Sequence, residues 1–154
     1  MSGIAVKASS DRPVTSAFDP DGSTHPRLWF IYVAGRLDAG LAVRVLRLLD
    51  AQLELIQAGL ADKTHVVIDL AATTTIDAGG VATLRHAPFE AARLGVTVWL
   101  SGVTGRTDRL PTRSRSMLDR IRMFPDEEAA VLAYTTGTTT ADVAGRRAGR
   151  GVAT

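Results

Sequence analysis

The sequence predicts an α/β domain. Three observations carry that reading: short apolar runs of strand type, helix-period segments between them, and enough apolar material for one core, 45% of 154 residues against 22% charged. The run LWFIYVAG, Leu28 to Gly35, is dense in aromatic and β-branched residues and predicts a buried strand. Asp38 then offers an N-cap, and after it Leu41, Val45, Leu48, Leu49, Leu53, Ile56 and Leu60 recur at steps of three and four. That is one apolar stripe of a helix ending near Gly59. HVVIDL, His65 to Leu70, predicts a second buried strand, the segment from about Gly79 to Leu94 a helix closed by Gly95, and VTVWL, Val96 to Leu100, a third strand. Strands joined through a helix lie parallel with a right-handed crossover, and burial on both faces explains their continuous apolar character. Pro88 removes a backbone donor inside the predicted helix, so a kink or a second short helix is expected there.

The segment Arg106 to Arg122 holds six arginines against Asp108 and Asp119, and Met117, Leu118 and Ile121 share one helical face. It reads as an amphipathic surface helix whose arginines are solvated. Phe124 and Pro125 then precede Asp126, Glu127 and Glu128, acids that favour a helix N-terminus, and AAVLAY supplies the body. The chain thus divides into three regions. Residues 1–27 read as a short strand, Ile4 to Ala8, and a flexible loop rich in Ser, Asp, Pro and Gly; residues 28–134 form the domain; residues 135–154 form a disordered basic tail with too little apolar mass to offset its ordering entropy.

A sequence pI near 9.5 suggests a nucleic-acid partner until the charge is placed. From Leu28 to Tyr134 there are twelve basic and twelve acidic residues, and the surplus of +2 comes from Arg146, Arg147 and Arg150 against Asp142. An electroneutral domain lacks the basic face that phosphate contacts need, so nucleic acid is not expected except through the tail. The sequence has neither an apolar run long enough to span a bilayer nor a secretory signal, and no cysteine, which together point to the cytoplasm and away from a membrane partner.

The stretch TTTIDAGGVATL, Thr73 to Leu84, is the natural place for chemistry, because glycines there succeed a strand. Asp77-Ala78-Gly79-Gly80 has neither the dinucleotide fingerprint spacing nor a P-loop ending, so a nucleotide site there is unsupported. His25, His65 and His86 are scattered without metal-ligand spacing, and no nucleophile elbow is present. No metal and no cofactor is expected. Asp69 and Asp77 lie where α/β sheets place ligands, yet helix capping and loop hydrogen bonding account for both better than paired-carboxylate catalysis.

Three blocks of residues resemble the STAS domain, a family named for sulfate transporters and anti-sigma factor antagonists. They are AGRLD, Ala34 to Asp38; HVVIDLAATTTIDAGGVATL, His65 to Leu84; and FPDEEAAVLAY at the end of the domain. The resemblance spans Leu28 to about Tyr134. It implies a small mixed β-sheet of about four to five strands with covering helices, no enzymatic activity, and a function in docking a partner protein through loops and the second helix. In the anti-sigma antagonist branch the implied partner is an ATPase-fold anti-sigma factor that is also a serine kinase, and it phosphorylates a hydroxyl directly after the loop aspartate.

The partner-binding residues implied here are Thr73, Thr74, Thr75, Asp77, Ala78, Gly79, Gly80 and Thr83. The chain departs from the family at Ala78, the phosphoacceptor-equivalent position, which has no hydroxyl. A phosphate there would add about −1.5 to −2 charge beside Asp77 and repel a docked partner, so a chain with alanine escapes that switch. Thr73, Thr74, Thr75 and Thr83 carry hydroxyls nearby at a different geometry. Gly79 and Gly80 either bare the surface for a partner backbone or relieve a tight turn. Two alternatives stand beside the antagonist reading: a scaffold subunit of a larger signalling or transporter-ATPase assembly, and a small-molecule or nucleotide-binding STAS domain.

Overall fold

The computed structural model describes residues 14–17 and 27–137. One five-stranded sheet runs through it in the spatial order β1-β2-β3-β4-β5. The strands are β1 (Val14–Ala17), β2 (Leu28–Leu37), β3 (His65–Ile76), β4 (Thr97–Ser101) and β5 (Met123–Phe124). β1 pairs antiparallel with β2, and β2 through β5 are parallel, so the sheet is mixed. The helices are α1 (Ala39–Gln57), α2 (Ala78–Leu84), α3 (Ala87–Ala92), α4 (Thr112–Leu118) and α5 (127–137).

Period-2 alternation in the strands divides the core in two. Trp29, Ile31, Val33, Val66, Ile68, Leu70, Val98 and Leu100 face a large aliphatic cluster with the buried stripes of α1 to α4. Leu28, Phe30, Val67, Trp99 and Phe124 face the other way, onto Ala130 and Tyr134 of α5. Burial on both faces is what their continuous apolar sequence demanded.

Several expectations change. A strand, Val14–Ala17, occupies part of the expected N-terminal loop, while the strand expected at Ile4–Ala8 lies outside the described residues. β3 does not stop at Leu70 but continues through the expected loop to Ile76, because β-branched Thr73 and Thr75 pair with the end of β2 across two register shifts. The helix expected over Arg106 to Arg122 is only Thr112–Leu118, with turns on either side, and β5 comes after it unforeseen. Helix α5 runs to residue 137, so residues 135–137 belong to the fold rather than to the tail, whose remainder lies outside the described residues. Pro88 acts as expected: the helix after β3 breaks, and Pro88 sits in the first turn of α3.

Candidate functional site

The site lies where β2 and β3 end side by side and each strand turns into a helix. Leu37 pairs with Ile76 at the last rung, and Asp77 N–H donates to the Leu37 carbonyl at 3.1 Å. Asp38 and Asp77 then cap α1 and α2: Asp38 Oδ1 accepts from Leu41 N–H at 2.8 Å, and Asp77 Oδ1 accepts from Gly80 N–H at 3.0 Å. The other oxygen of Asp77 meets Arg36 of β2 at 3.4 Å, a pair open to solvent and therefore weak. Asp69, buried in the middle of the sheet, uses Oδ1 to accept from Ala71 N–H at 2.8 Å, which holds the backbone where β3 changes register. Both acids thus act on backbone amides, as their positions in the sequence implied.

The eight implied site residues do not share one surface. Thr74, Thr75, Ala78 and Gly79 are exposed, and Asp77 and Thr83 are half-buried at their edge. Thr83 Oγ1 donates to the Gly79 carbonyl at 3.0 Å, one turn back along α2. Thr73 is only 4% exposed and donates its hydroxyl to the Leu70 carbonyl at 2.6 Å. Gly80 is buried as well, and a Cβ there would stand 2.3 Å from the Leu37 carbonyl oxygen. Neither sequence-based explanation of that glycine applies: it exists so that α2 can lie against the end of β2. Gly79 is the exposed one, and a Cβ on it would meet Asp77 Oδ1 and Ala39 Cβ at ordinary distances, 3.5 and 3.6 Å.

Arg106 is the residue that helical periodicity misplaced. It is not on a solvated helical face. From the loop after β4 its guanidinium donates to the carbonyls of Leu70 at 2.6 Å and Gly102 at 3.2 Å, and to that of Thr73. β4 pairs with β3 only as far as Asp69, and beyond that rung one planar donor group serves the Leu70 carbonyl, which Thr73 also reaches, and the Thr73 carbonyl. Gly102 allows the approach: at φ +76° it places its α-carbon so close that a Cβ would lie 2.5 Å from Ala71 N. The threonine arm is therefore held from beneath by Arg106 while its outer residues stay exposed.

The two described histidines, His65 and His86, sit on different elements. His65 packs at the start of β3 against Trp99 and Tyr134, with ring centroids 4.7 and 5.1 Å away, and burial lowers its pKa. His86 is exposed between α2 and α3, and among the described residues no group of three His, Asp or Glu side chains could hold a metal ion. On the same α5-covered face of the sheet as His65, the Tyr32 hydroxyl donates to Glu127 Oε1 at 2.6 Å, and burial, reinforced by that carboxylate, keeps the phenol protonated far above its usual range.

The mixed five-stranded sheet with covering helices is the architecture that the resemblance implied, and here β1 is its antiparallel strand while Asp38 and Asp77 cap the helices after β2 and β3. The STAS domain profile matches residues 20–130, most of the chain. The chain belongs to the STAS domain family. Solved structures agree on the fold. A sulfate transporter family protein from Wolinella succinogenes superposes with a TM-score of 0.54 at 22% identity, over 77% of this chain and 96% of that one. The anti-sigma factor antagonist SpoIIAA in its unphosphorylated form gives 0.53 at 14% identity, over 80% and 98%. The STAS domain of the SulP transporter from Vibrio cholerae gives 0.51 at 15% identity, over 74% and 85%. The curated proteins contain no sequence match.

Within this STAS domain, Ala78 is the first residue of α2 and is exposed directly after the capping aspartate. A hydroxyl at that position would face solvent beside the Asp77 carboxylate. The chain offers a methyl group instead.

Proposed function

We propose that this STAS domain is a non-enzymatic regulatory protein of the anti-sigma antagonist type, which docks an ATPase-fold anti-sigma kinase or related regulator in the cytoplasm without being phosphorylated at the switch position. The observation that carries the reading is the exposed first turn of α2, capped by Asp77 and bearing Ala78 where a kinase would need a hydroxyl. Thr74, Thr75 and Gly79 flank it on the exposed surface, and Arg106 fixes the strand that presents them. A partner backbone can lie across Ala78 and Gly79 because neither side chain projects far. A phosphate would put negative charge against such a partner, and alanine leaves the surface permanently in its docking-competent chemical state.

The test pairs the protein with the ATPase-fold kinases of its own genome. Complex formation without transfer of label from ATP to the native chain, together with labelling of an Ala78→Ser variant, supports the proposal. No complex with any of them removes the docking half, and labelling of Thr74, Thr75 or Thr83 in the native chain removes the other.

A second reading has support of the same grade: the likeness to the transporter STAS domains equals that to SpoIIAA. On it the chain is a scaffold subunit of a larger signalling or transporter-ATPase assembly. The described residues contain no helix long and apolar enough to cross a membrane. A stable large particle on purification from the native source favours the scaffold, and a small species that binds a single kinase favours the antagonist.

A further inference from the structure

The domain is neutral in total charge, yet two surface depressions on opposite faces of its sheet are lined by charges of opposite sign. On the side of α1 to α4, a cleft of about 780 Å³ opens between α2–α3 and α4. Arg85, Arg113 and Arg120 line it together with Met117 and Phe89, and no acidic residue does. Phe89 is 67% exposed at this cleft, and the three arginines form no ion pair among the described residues. On the far side of the sheet, α5 borders a shallow depression lined by acids, by Leu132 and by no basic residue. Glu127 is turned inward onto Tyr32, but Asp126 and Glu128 are exposed, and Leu132 is 68% exposed one helical turn beyond Glu128.

Each surface therefore pairs a protruding apolar side chain with charges of one sign, and the signs are complementary. Isolated exposed apolar residues are ordinary, but one set among charges of a single sign is the anatomy of a docking patch. The sheet separates the two patches, so they cannot meet within one molecule. The chain's own C-terminal tail has the wrong charge for the cleft, with Arg146, Arg147 and Arg150 against Asp142.

We propose that the chain associates head to tail with further copies of itself, the Glu128–Leu132 surface of α5 in one copy seated in the Arg85–Arg113–Arg120 cleft of the next. Such a contact is heterologous: every dimer keeps one free cleft and one free α5 surface, so growth continues to a ring or a filament instead of stopping at a twofold pair. The proposal goes beyond the kinase reading and uses neither Ala78 nor the threonine arm.

Sedimentation velocity on the full chain, across a range of concentrations at low and high salt, tests it with two variants. Arg113→Glu with Arg120→Glu disables the cleft, and Glu128→Gln with Leu132→Ser disables the helix surface; all four positions are exposed, so the core is untouched. The native chain is expected to grow with concentration and to shrink with salt, since exposed charges are screened beyond about 10 Å at 0.1 M. Each variant alone is expected to stay monomeric. An equal mixture of the two is expected to form a one-to-one dimer and nothing larger, because that mixture contains one working surface of each kind. A native chain that is monomeric at every concentration overturns the proposal, as does a dimer that neither variant disturbs. Failure of the two folded variants to pair, with circular dichroism like that of the native chain, overturns it too.

Discussion

Asp38 and Asp77 perform the same act on adjacent strands: each ends a β-strand, accepts an amide three residues on, and opens a helix. The helices they open differ. Asp38 starts 19 residues of helix with Leu41, Ala42, Val45, Leu49 and Leu53 buried beneath it. Asp77 starts seven residues, two of them glycine, with Gly80, Val81 and Leu84 buried. Burying a large aliphatic side chain contributes about 1.5–3 kcal/mol, so α1 is secured several times over while α2 depends on a few contacts, its cap and a close fit to β2. One capping signal can therefore found a scaffold or a site. The candidate site is on the less secured of these two helices, placed against the better secured one.

The largest way to break the comparison is to remove that fit. Gly80→Ala offers about 1 kcal/mol of helix propensity, but its methyl would overlap the Leu37 carbonyl, whose separation from a built Cβ is 2.3 Å. A net loss of about 3 kcal/mol in urea unfolding is expected. A neutral or stabilising result would mean that α2 does not lie against β2 as described. Gly79→Ala, where contacts are ordinary, serves as the matched control and is expected to be neutral or slightly stabilising.

Next comes the support beneath the arm. Arg106→Met keeps much of the length of the side chain but leaves the carbonyls of Leu70 and Thr73 without this donor. Destabilisation of about 2 kcal/mol is expected, with faster hydrogen exchange concentrated in residues 71–77. Uniform exchange changes would mean that Arg106 is not a local clamp.

The caps themselves sharpen the contrast. Asp38→Ala should lower global stability by about 1 kcal/mol, the ordinary worth of an N-cap. Asp77→Ala should lower global stability less and instead accelerate exchange of the Gly80 amide and its neighbours, because a short helix frays locally before the domain unfolds. Equal global losses would erase the distinction drawn between the two helices.

The smallest expected effect is acid-dependent and lies away from both caps. Burial depresses the folded-state pKa of His65, so as pH falls below about 6.5 the unfolded chain takes up the proton first. Stability contributed by neutral His65 is therefore full above that pH and declines below it until the folded-state value is passed. His65→Phe, in the same aromatic setting, should flatten that part of the pH profile, as thermal melts from about pH 7.5 to 5 would show.

Much of this arrangement was legible in the sequence, and the unread parts share a cause. The buried halves of β2 and β3, the long stripe of α1, both capping aspartates and the break at Pro88 all depend on spacing within a short window. The outer half of β3 reads as loop because Thr74 and Thr75 are polar and exposed, although β-branching at Thr73, Thr74 and Thr75 was a strand signal available to be weighed. β5 is two residues long, too short for any period. Arg106 binds carbonyls 33 and 36 positions away, and Gly80 fits a carbonyl on the neighbouring strand; neither partner leaves a local trace. Of the eight implied site residues, the sequence could not separate exposed Thr74, Thr75, Ala78 and Gly79 from buried Thr73 and Gly80. That division needs the register of β3 on β2.

The central claim is that the exposed start of α2 is a docking surface from which the phosphorylation switch is absent. Hydrogen exchange of the full chain with and without an ATPase-fold anti-sigma kinase from its own genome, in the presence of ATP, tests it most directly. The account predicts protection that persists through the incubation at residues 74–83, with no mass increase of a phosphate on the chain. Protection confined to other surfaces, or a phosphate appearing on the native chain as protection is lost, would contradict it.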